Sequence, residues 1–149
     1  MIKLNRIRYL IWEGPDEVGK TSTRKLVEKS RKGRDIMIDR FIGSNLIYGK
    51  LFKRYTEQEL KEIEIEEKMF IRMFDPVLIY LYAPVKTIVE RIKKDKHEAI
   101  NMTLLKKTLK EYNEYYEKSE ILNKIKIDTS KYKQDEVVHI INSFLYLIG

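Results

Sequence analysis

The sequence contains no cysteine, and it has only three prolines and six glycines among its 149 residues. Without cysteine the chain has neither a disulfide nor a thiolate metal site, which fits a reducing compartment. Its apolar runs are far shorter than the roughly 20 residues of a membrane-spanning helix, and its first segment, MIKLNRIRYLIWEG, is too charged for a secretory signal. We therefore expect a cytoplasmic protein with no membrane partner, of a length that forms one domain over residues 1–149.

The net charge of +7 is unevenly distributed along the chain. The first fifty residues carry twice as many basic as acidic side chains, whereas the remainder is nearly balanced. A basic protein can bind nucleic acid, but the chain has no arginine-rich tail and no known nucleic-acid module. We therefore expect small anionic ligands near the glycine-rich segment and no nucleic-acid partner.

Apolar runs that are typical of buried strands alternate with amphipathic segments that are typical of helices. The predicted strands are RYLIWEG, DIMID, VLIYLYA and KIKID. Helices are predicted between and after them, including one from Ser44 to about Arg54 and one that Thr56 and Glu59 cap and Pro76 ends. Alternation of this kind predicts an α/β, three-layer fold with a mostly parallel sheet of about four main strands.

The stretch WEGPDEVGKTS contains the spacing Gly-x4-Gly-Lys-Thr, which is the pattern of a phosphate-binding P-loop. It follows a predicted strand and opens a predicted helix, as that mechanism requires. Glycines let the backbone turn its N–H groups toward a phosphate, and the helix N-terminus adds partial positive charge. Lys20 would reach the β- and γ-phosphates of a nucleotide, and the Thr21 hydroxyl would coordinate Mg²⁺.

Asp39 and Arg40 follow the next predicted strand, where such sheets present side chains to a ligand. A carboxylate there can hold Mg²⁺ through water or accept a proton, and an arginine can bind a phosphate with two hydrogen bonds.

Three segments together resemble the thymidylate kinases and deoxynucleoside kinases. WEGPDEVGKTS resembles their P-loop, IDRFIGSNLIYG resembles the thymidylate kinase segment that follows Asp-Arg, and PVLIYLYAPVKTIVERIKKD resembles their strand and helix before the lid. The similarity is greatest to the compact thymidylate kinase-like proteins of phages and some bacteria. It implies a P-loop kinase fold that transfers the γ-phosphate of ATP to a nucleoside monophosphate, with dTMP or a related deoxynucleotide as acceptor.

The resemblance also implies cofactors and site residues. ATP and Mg²⁺ are the expected cofactors, with Thr21 and Asp39 holding the metal, partly through water. The expected donor-phosphate residues are Gly14, Glu17, Val18, Gly19, Lys20, Thr21 and Ser22. The expected acceptor residues are Asp16, Arg40, Phe41, Ser44 and Tyr48. The residues expected to border adenine are Arg91, Thr129 and Ser130. The expected catalytic residues are Lys20, Asp39, Arg40 and Arg91. A short lid would lie around residues 92–101, with Lys93, Lys94 and Lys96 as further cations.

The chain departs from this family between Lys20 and Asp39, which only 18 residues separate. The family normally carries there the residues that read the thymine base, so the base preference stays open. Gly49 stands where the family often has glutamine, and Glu17 stands where some members have a catalytic arginine. The lid region is richer in lysine than in arginine, and lysine lacks the planar fork of a guanidinium.

Three alternatives remain open at this point. A deoxynucleoside kinase would phosphorylate a 5′-hydroxyl, a polynucleotide 5′-kinase would use a strand end, and a nucleotide-binding module would keep the P-loop without turnover. The helix from Thr56 to Phe74 carries apolar residues that suit either a homodimer interface or the core: Ile63, Met69, Phe70, Met73 and Phe74.

Overall fold

A computed structural model describes residues 7–95 and 99–149, and within these ranges the chain forms four strands and six helices. The strands are β1 (Tyr9–Glu13), β2 (Ile36–Asp39), β3 (Val77–Tyr82) and β4 (Asn123–Asp128). The helices are α1 (Lys20–Ser30), α2 (Ile42–Leu51), α3 (Glu57–Phe74), α4 (Val85–Asp95), α5 (Met102–Lys118) and α6 (Gln134–Leu147). The part of the predicted lid at residues 96–98, including Lys96, lies outside the described residues.

The four strands form one parallel sheet in the order β2-β1-β3-β4, so the predicted α/β fold is confirmed and the P-loop strand is internal. The pairing of Trp12 with Asp39 brings the ends of β1 and β2 to the same edge of the sheet. Functional side chains at the carboxyl ends of both strands therefore lie side by side.

Alternation along the strands divides the core between the two faces of the sheet. Leu10 and Trp12 of β1 belong to one cluster, which includes Val27 of α1, Ile88 of α4 and Ile141 of α6. The opposite face packs against α2, α3 and α5, and Ile11 there lies in a cluster with Phe41, Phe70 and Tyr115. Tyr112 of α5 is fully buried and stacks on Tyr80 of β3 with centroids 6.0 Å apart, so α5 packs on this face of the sheet.

Helix boundaries follow local capping chemistry. The predicted box on α3 is present, because Glu59 N donates to Thr56 Oγ1 at 3.1 Å and Thr56 N donates to Glu59 Oε1 at 3.0 Å. The predicted helix from Ser44 to Arg54 instead begins at Ile42 and ends at Leu51. It stops early because Lys53 adopts a left-handed conformation that turns the chain.

Helix α3 divides its apolar residues between the core and the surface. Phe70 packs on Tyr9 and Phe41, whereas Met69 and Met73 are 56% and 70% exposed. Within the described ranges, no helix combines the length and the apolar character needed to cross a bilayer.

Candidate active site

The loop between β1 and α1 has the backbone geometry that its glycines predict. Gly14 has φ of 148°, and a Cβ at this position would overlap the carbonyl oxygen of Leu81 on β3. Gly19 is left-handed, with φ of 80°, and precedes α1 without a side-chain cap. The first turn of α1 therefore faces the adjoining cavity with its backbone N–H groups available to an anion.

A cavity of about 530 Å³ lies in front of this loop. Its lining brings together residues predicted for the donor phosphates, the metal and the acceptor, and adds one lysine that was not predicted. The lining residues are Pro15, Asp16, Glu17, Gly19, Lys20, Thr21, Ser22, Lys25, Asp39 and Arg40. Val18, in contrast, is 1% exposed and its side chain belongs to the core, so only its backbone can face a ligand.

Lys20 and Asp39 form an ion pair in this cavity, with Lys20 Nζ 2.7 Å from Asp39 Oδ1. Burial lowers the pKa of Lys20, and the hydrogen bond to Asp39 acts in the opposite direction. The second oxygen of Asp39 lies 4.0 Å from Arg24 Nε, one helical turn after Lys20. The Asp39 carboxylate is thus held between two cations of α1.

Arg40 is oriented by an unusual backbone conformation and by two side-chain contacts. Its φ of 54° is rare for a residue with a side chain, and its backbone N–H donates to Trp12 O at 2.9 Å. The guanidinium forms an ion pair with Asp16 and lies 5.8 Å from the ring centroid of Tyr48. Arg40 therefore contacts two of the other predicted acceptor residues, Asp16 and Tyr48.

The fully buried carboxylate of Glu13 was not predicted as a functional residue. It accepts hydrogen bonds from Phe41 N at 2.7 Å and from Ser44 Oγ at 3.1 Å. Desolvation raises the pKa of Glu13 to about 7, although these hydrogen bonds and the charge of Lys20 act to lower it. The sequence shows an acidic residue at the end of the apolar run RYLIWEG but does not indicate that it is buried.

Ser44 connects Glu13 to the α5 layer. Its Oγ lies 2.7 Å from the Tyr112 hydroxyl. Glycine is required at position 43, since a Cβ there would come within about 2.5 Å of Glu13 Oε2 and of the Tyr115 ring. The start of α2, which carries Phe41 and Ser44, is consequently fixed against the end of β1.

Arg91 lies on the other side of the loop, away from the Lys20–Asp39 pair. Its guanidinium donates to Glu17 O at 2.9 Å, to Thr129 Oγ1 at 3.1 Å and to Thr129 O at 3.1 Å. A second cavity of about 360 Å³ is lined there by Glu17, Val18, Gly19, Ser22, Thr23, Arg91, Asp95, Thr129, Tyr132, Gln134 and Val137. Arg91 and Thr129, which were both predicted to border adenine, thus line one cavity, together with Tyr132 and Gln134, which were not predicted.

The remaining predicted residues are more peripheral. Ser130 is exposed and donates through both its N–H and its hydroxyl to Asp128 Oδ1. Lys93 and Lys94 are exposed near the end of α4. No group of three or more side chains suited to binding a metal ion occurs in residues 7–95 and 99–149.

The cavity can nevertheless contribute oxygen ligands to Mg²⁺. The Thr21 hydroxyl and the Asp39 carboxylate both line it, and Mg²⁺ in nucleotide sites is held by one or two protein oxygens together with substrate phosphates and water. The residues present therefore fit a metal that arrives with a nucleotide.

The chain is similar to the SPbeta prophage-derived protein YorR of Bacillus subtilis (strain 168), with 31% identity over 138 residues that cover 88% of this chain and 80% of YorR. A crystal structure of YorR in complex with phosphorylated GDP matches with a TM-score of 0.75 and 25% identity, over 93% of this chain and 96% of that one. No protein-family model matches the sequence.

Two further solved structures share the fold at lower identity. Deoxyadenosine kinase from M. mycoides, with the products dCMP and dCDP bound, matches with a TM-score of 0.66 and 16% identity over 93% of this chain and 98% of that one. A polyphosphate kinase 2 from Pseudomonas aeruginosa matches with a TM-score of 0.65 and 14% identity over 96% of this chain and 39% of that one.

Proposed function

The chain belongs to the family of Bacillus subtilis YorR and shares the fold of a nucleoside kinase, and we propose that it transfers the γ-phosphoryl group of ATP to a (deoxy)nucleoside monophosphate. The observation that carries the proposal is the meeting of Lys20, Asp39 and Arg40 in one cavity at the N-terminus of α1. That cavity has room for the donor phosphates on the lysine side and for an acceptor phosphate on the arginine side.

On the donor side, the backbone N–H groups of the loop and the Lys20 ammonium bind the β- and γ-phosphates. To do so, the Lys20 ammonium must break its ion pair with Asp39 and bind the phosphates instead. The Asp39 carboxylate then becomes free to bind another group. Mg²⁺, held by Thr21 and Asp39 with the phosphates and water, supplies charge neutralisation when bound. Arg91, Thr129 and Tyr132 border the base of the donor.

On the acceptor side, the Arg40 guanidinium binds the acceptor phosphate and Asp16 lies near the sugar. Phe41 and Tyr48 are the predicted neighbours of this pocket, although neither belongs to the lining of the cavity described above. Ser44 is buried against Glu13 and Tyr112, so it acts by fixing the start of α2 rather than by touching the acceptor. An oxygen of the acceptor phosphate attacks the γ-phosphorus of ATP. The bond between the γ-phosphorus and the β–γ bridging oxygen breaks, and ADP leaves with that oxygen. Residues fixed in this way act mainly by positioning and by electrostatic stabilisation, which dominate catalysis of phosphoryl transfer.

The complex of YorR with phosphorylated GDP supports a nucleotide ligand for this chain. A guanine nucleotide therefore belongs in the set of acceptors to be tested. The preference for dTMP implied by the family resemblance is one hypothesis within that set.

The test is a coupled ADP-release assay with ATP and Mg²⁺ against dTMP, dUMP, dGMP, dAMP, dCMP, CMP, UMP, deoxynucleosides and a 5′-hydroxyl oligonucleotide. Lys20→Ala is the inactive variant, and Lys29→Ala, at an exposed position on the same helix, is the matched control. We expect turnover with at least one monophosphate, lost in Lys20→Ala and kept in Lys29→Ala. Turnover only with a deoxynucleoside or only with the oligonucleotide would refute the proposal in favour of that acceptor.

A further inference from the structure

Four side chains along α2 form a row that we call the cation–aromatic ladder: Arg40, Tyr48, Phe52 and Arg54. The Arg40 guanidinium lies 5.8 Å from the Tyr48 ring centroid, and the Tyr48 and Phe52 rings are nearly parallel, at 7° and 5.9 Å. The Arg54 guanidinium lies 5.2 Å from the Phe52 ring. The ladder thus starts at the phosphate cavity, which Arg40 lines, and runs away from it.

The C-terminal end of α2 fixes the outer part of the ladder. Arg54 N donates to Gly49 O at 2.8 Å and Lys53 N donates to Lys50 O at 3.3 Å, while Lys53 is left-handed with φ of 51°. This is a Schellman cap, and it holds Arg54 beside Phe52. Phe52 is nevertheless 47% exposed, so a large part of its ring faces solvent.

The neighbouring part of this helix face offers little for hydrogen-bond readout of a base. A Cβ on Gly49 would overlap the Tyr55 ring, which explains why glycine replaces the glutamine of the resembled family. The Tyr55 hydroxyl donates to Asn45 Oδ1 at 2.9 Å and so engages the amide oxygen of that side chain. The ladder itself offers aromatic and guanidinium surface, and Asn45 and Lys50 on the same helix are also exposed.

We propose that the cation–aromatic ladder is the base-binding surface of the acceptor site, on which the nucleobase stacks without being identified. The inference rests on the proposed function, because it takes Arg40 as the contact of the acceptor phosphate. A base that is joined to that phosphate through one sugar lies over Tyr48 and Phe52. In the resembled family a segment between the P-loop and the Asp-Arg pair reads the base, and the 18 residues between Lys20 and Asp39 leave no room for it. Stacking on the ladder takes over the binding of the base.

Recognition by stacking has a specific consequence for substrate range. Every base has a π face, so aromatic and guanidinium surfaces bind purines and pyrimidines with modest discrimination. The acceptor class is therefore nucleoside monophosphates of either base type, and a sugar phosphate without a base is a poor ligand.

The experiment measures binding of dAMP, dGMP, dCMP, dTMP and deoxyribose 5-phosphate by titration calorimetry, in the wild type and three variants. Phe52→Leu removes the ring and Phe52→Tyr keeps it. Tyr146→Leu removes a ring that is 82% exposed on α6 and serves as the matched control. A single-stranded oligonucleotide is titrated in parallel.

We expect Phe52→Leu to weaken binding of all four nucleotides by about 10-fold or more, as loss of one stacking ring does, with deoxyribose 5-phosphate unchanged. Phe52→Tyr and Tyr146→Leu should match the wild type, and the four nucleotides should bind the wild type within about 10-fold of one another. The proposal would be overturned if Phe52→Leu weakened binding of deoxyribose 5-phosphate as much as binding of the nucleotides, weakened binding of no nucleotide, or weakened binding of only one. It would also be overturned if the wild type bound no nucleotide. An effect of Phe52→Leu confined to the oligonucleotide would reassign the ladder to nucleic acid.

Binding separates this inference from the proposed function. If nucleotides bind with the expected dependence on Phe52 but no phosphoryl transfer occurs, the kinase proposal fails and the ladder stands. If phosphoryl transfer occurs and Phe52→Leu leaves nucleotide binding unchanged, the kinase proposal stands and the ladder proposal fails.

Discussion

The ammonium of Lys20 lies 2.7 Å from the carboxylate of Asp39, and both groups face the cavity in front of the P-loop. The pair satisfies a buried lysine that would otherwise be costly, since burial lowers the pKa of Lys20. In the proposed reaction, however, Lys20 binds the donor phosphates and Asp39 binds the metal, so the two groups must separate. Binding of a triphosphate must therefore replace the carboxylate as the partner of Lys20.

Asp39→Asn separates these two roles of the carboxylate. We expect it to leave the Kd for ATP without Mg²⁺ unchanged or lower, because Lys20 then gives up only a neutral partner. Turnover should fall by about 10²–10⁴-fold, the usual contribution of a proton acceptor or positioned charge. Calorimetry without metal and the coupled assay with Mg²⁺ measure the two effects, with Asp135→Asn on the surface of α6 as control. An equal loss of both quantities would mean that Asp39 only shapes the site.

Arg40→Lys tests the acceptor phosphate contact. Lysine keeps the charge but loses the planar pair of donors, so we expect the acceptor KM to rise by about 10-fold or more while the Kd for ATP stays the same. Steady-state kinetics at varied acceptor and at varied ATP distinguish the two. Arg34→Lys, at an exposed position before β2, should change neither, and a rise in the KM for ATP alone would move Arg40 to the donor side.

Glu13→Gln should remove a pH dependence of stability. Burial raises the pKa of Glu13 from 4.5 to about 7. Between pH 4.5 and pH 7, Glu13 is therefore protonated in the folded state and ionised in the unfolded state. The free energy of unfolding of the wild type should therefore fall as the pH rises from about 4.5 to 7 and level off above, by up to about 3 kcal/mol.

Urea unfolding of both proteins between pH 5 and pH 8 provides the measurement. The glutamine side chain introduced by Glu13→Gln stays neutral at every pH, so the variant should gain stability relative to the wild type across this window. The exposed control Glu28→Gln should follow the wild type. Parallel curves for the wild type and Glu13→Gln would show that Glu13 is ionised throughout.

Gly14→Ala tests the close approach of the P-loop to β3. The new Cβ would overlap the Leu81 carbonyl oxygen at a φ that L-residues avoid, so we expect a loss of at least about 2 kcal/mol in unfolding free energy. Gly33→Ala is the matched control, since Gly33 is also left-handed but has open space around it. It should cost only about 1 kcal/mol, and equal costs at both positions would rule out the steric explanation.

The parts of this architecture that depend on local pattern could be predicted from the sequence. The four parallel strands and the place of the P-loop between β1 and α1 follow from apolar runs, glycine spacing and the rules for parallel sheets. Glu13 was missed because its partners, Phe41 and Ser44, are 28 and 31 residues away in the sequence. Nothing in a short apolar run indicates that its terminal carboxylate will be buried beneath a later helix.

The positions of Arg91 and Tyr55 illustrate the same limit. The family resemblance predicts Arg91 near the nucleotide, but only packing of α4 beside the Thr129 loop directs its guanidinium to the Glu17 carbonyl. Likewise the sequence shows only that Gly49 stands where the resembled family often has glutamine, whereas the structure shows the Tyr55 ring filling the space beside it. In both cases a contact between distant segments decides which way a side chain points.

The order β2-β1-β3-β4 also determines how the chain can fold. No neighbouring strands are joined by a hairpin, because each parallel pairing requires a crossover to be complete first. Strand β1 carries the P-loop at its end, yet its second neighbour is formed by Val77–Tyr82, far along the chain. We therefore expect the loop after β1 to take its native shape only after a long chain segment has closed, and folding to be slower than in helical proteins of this size.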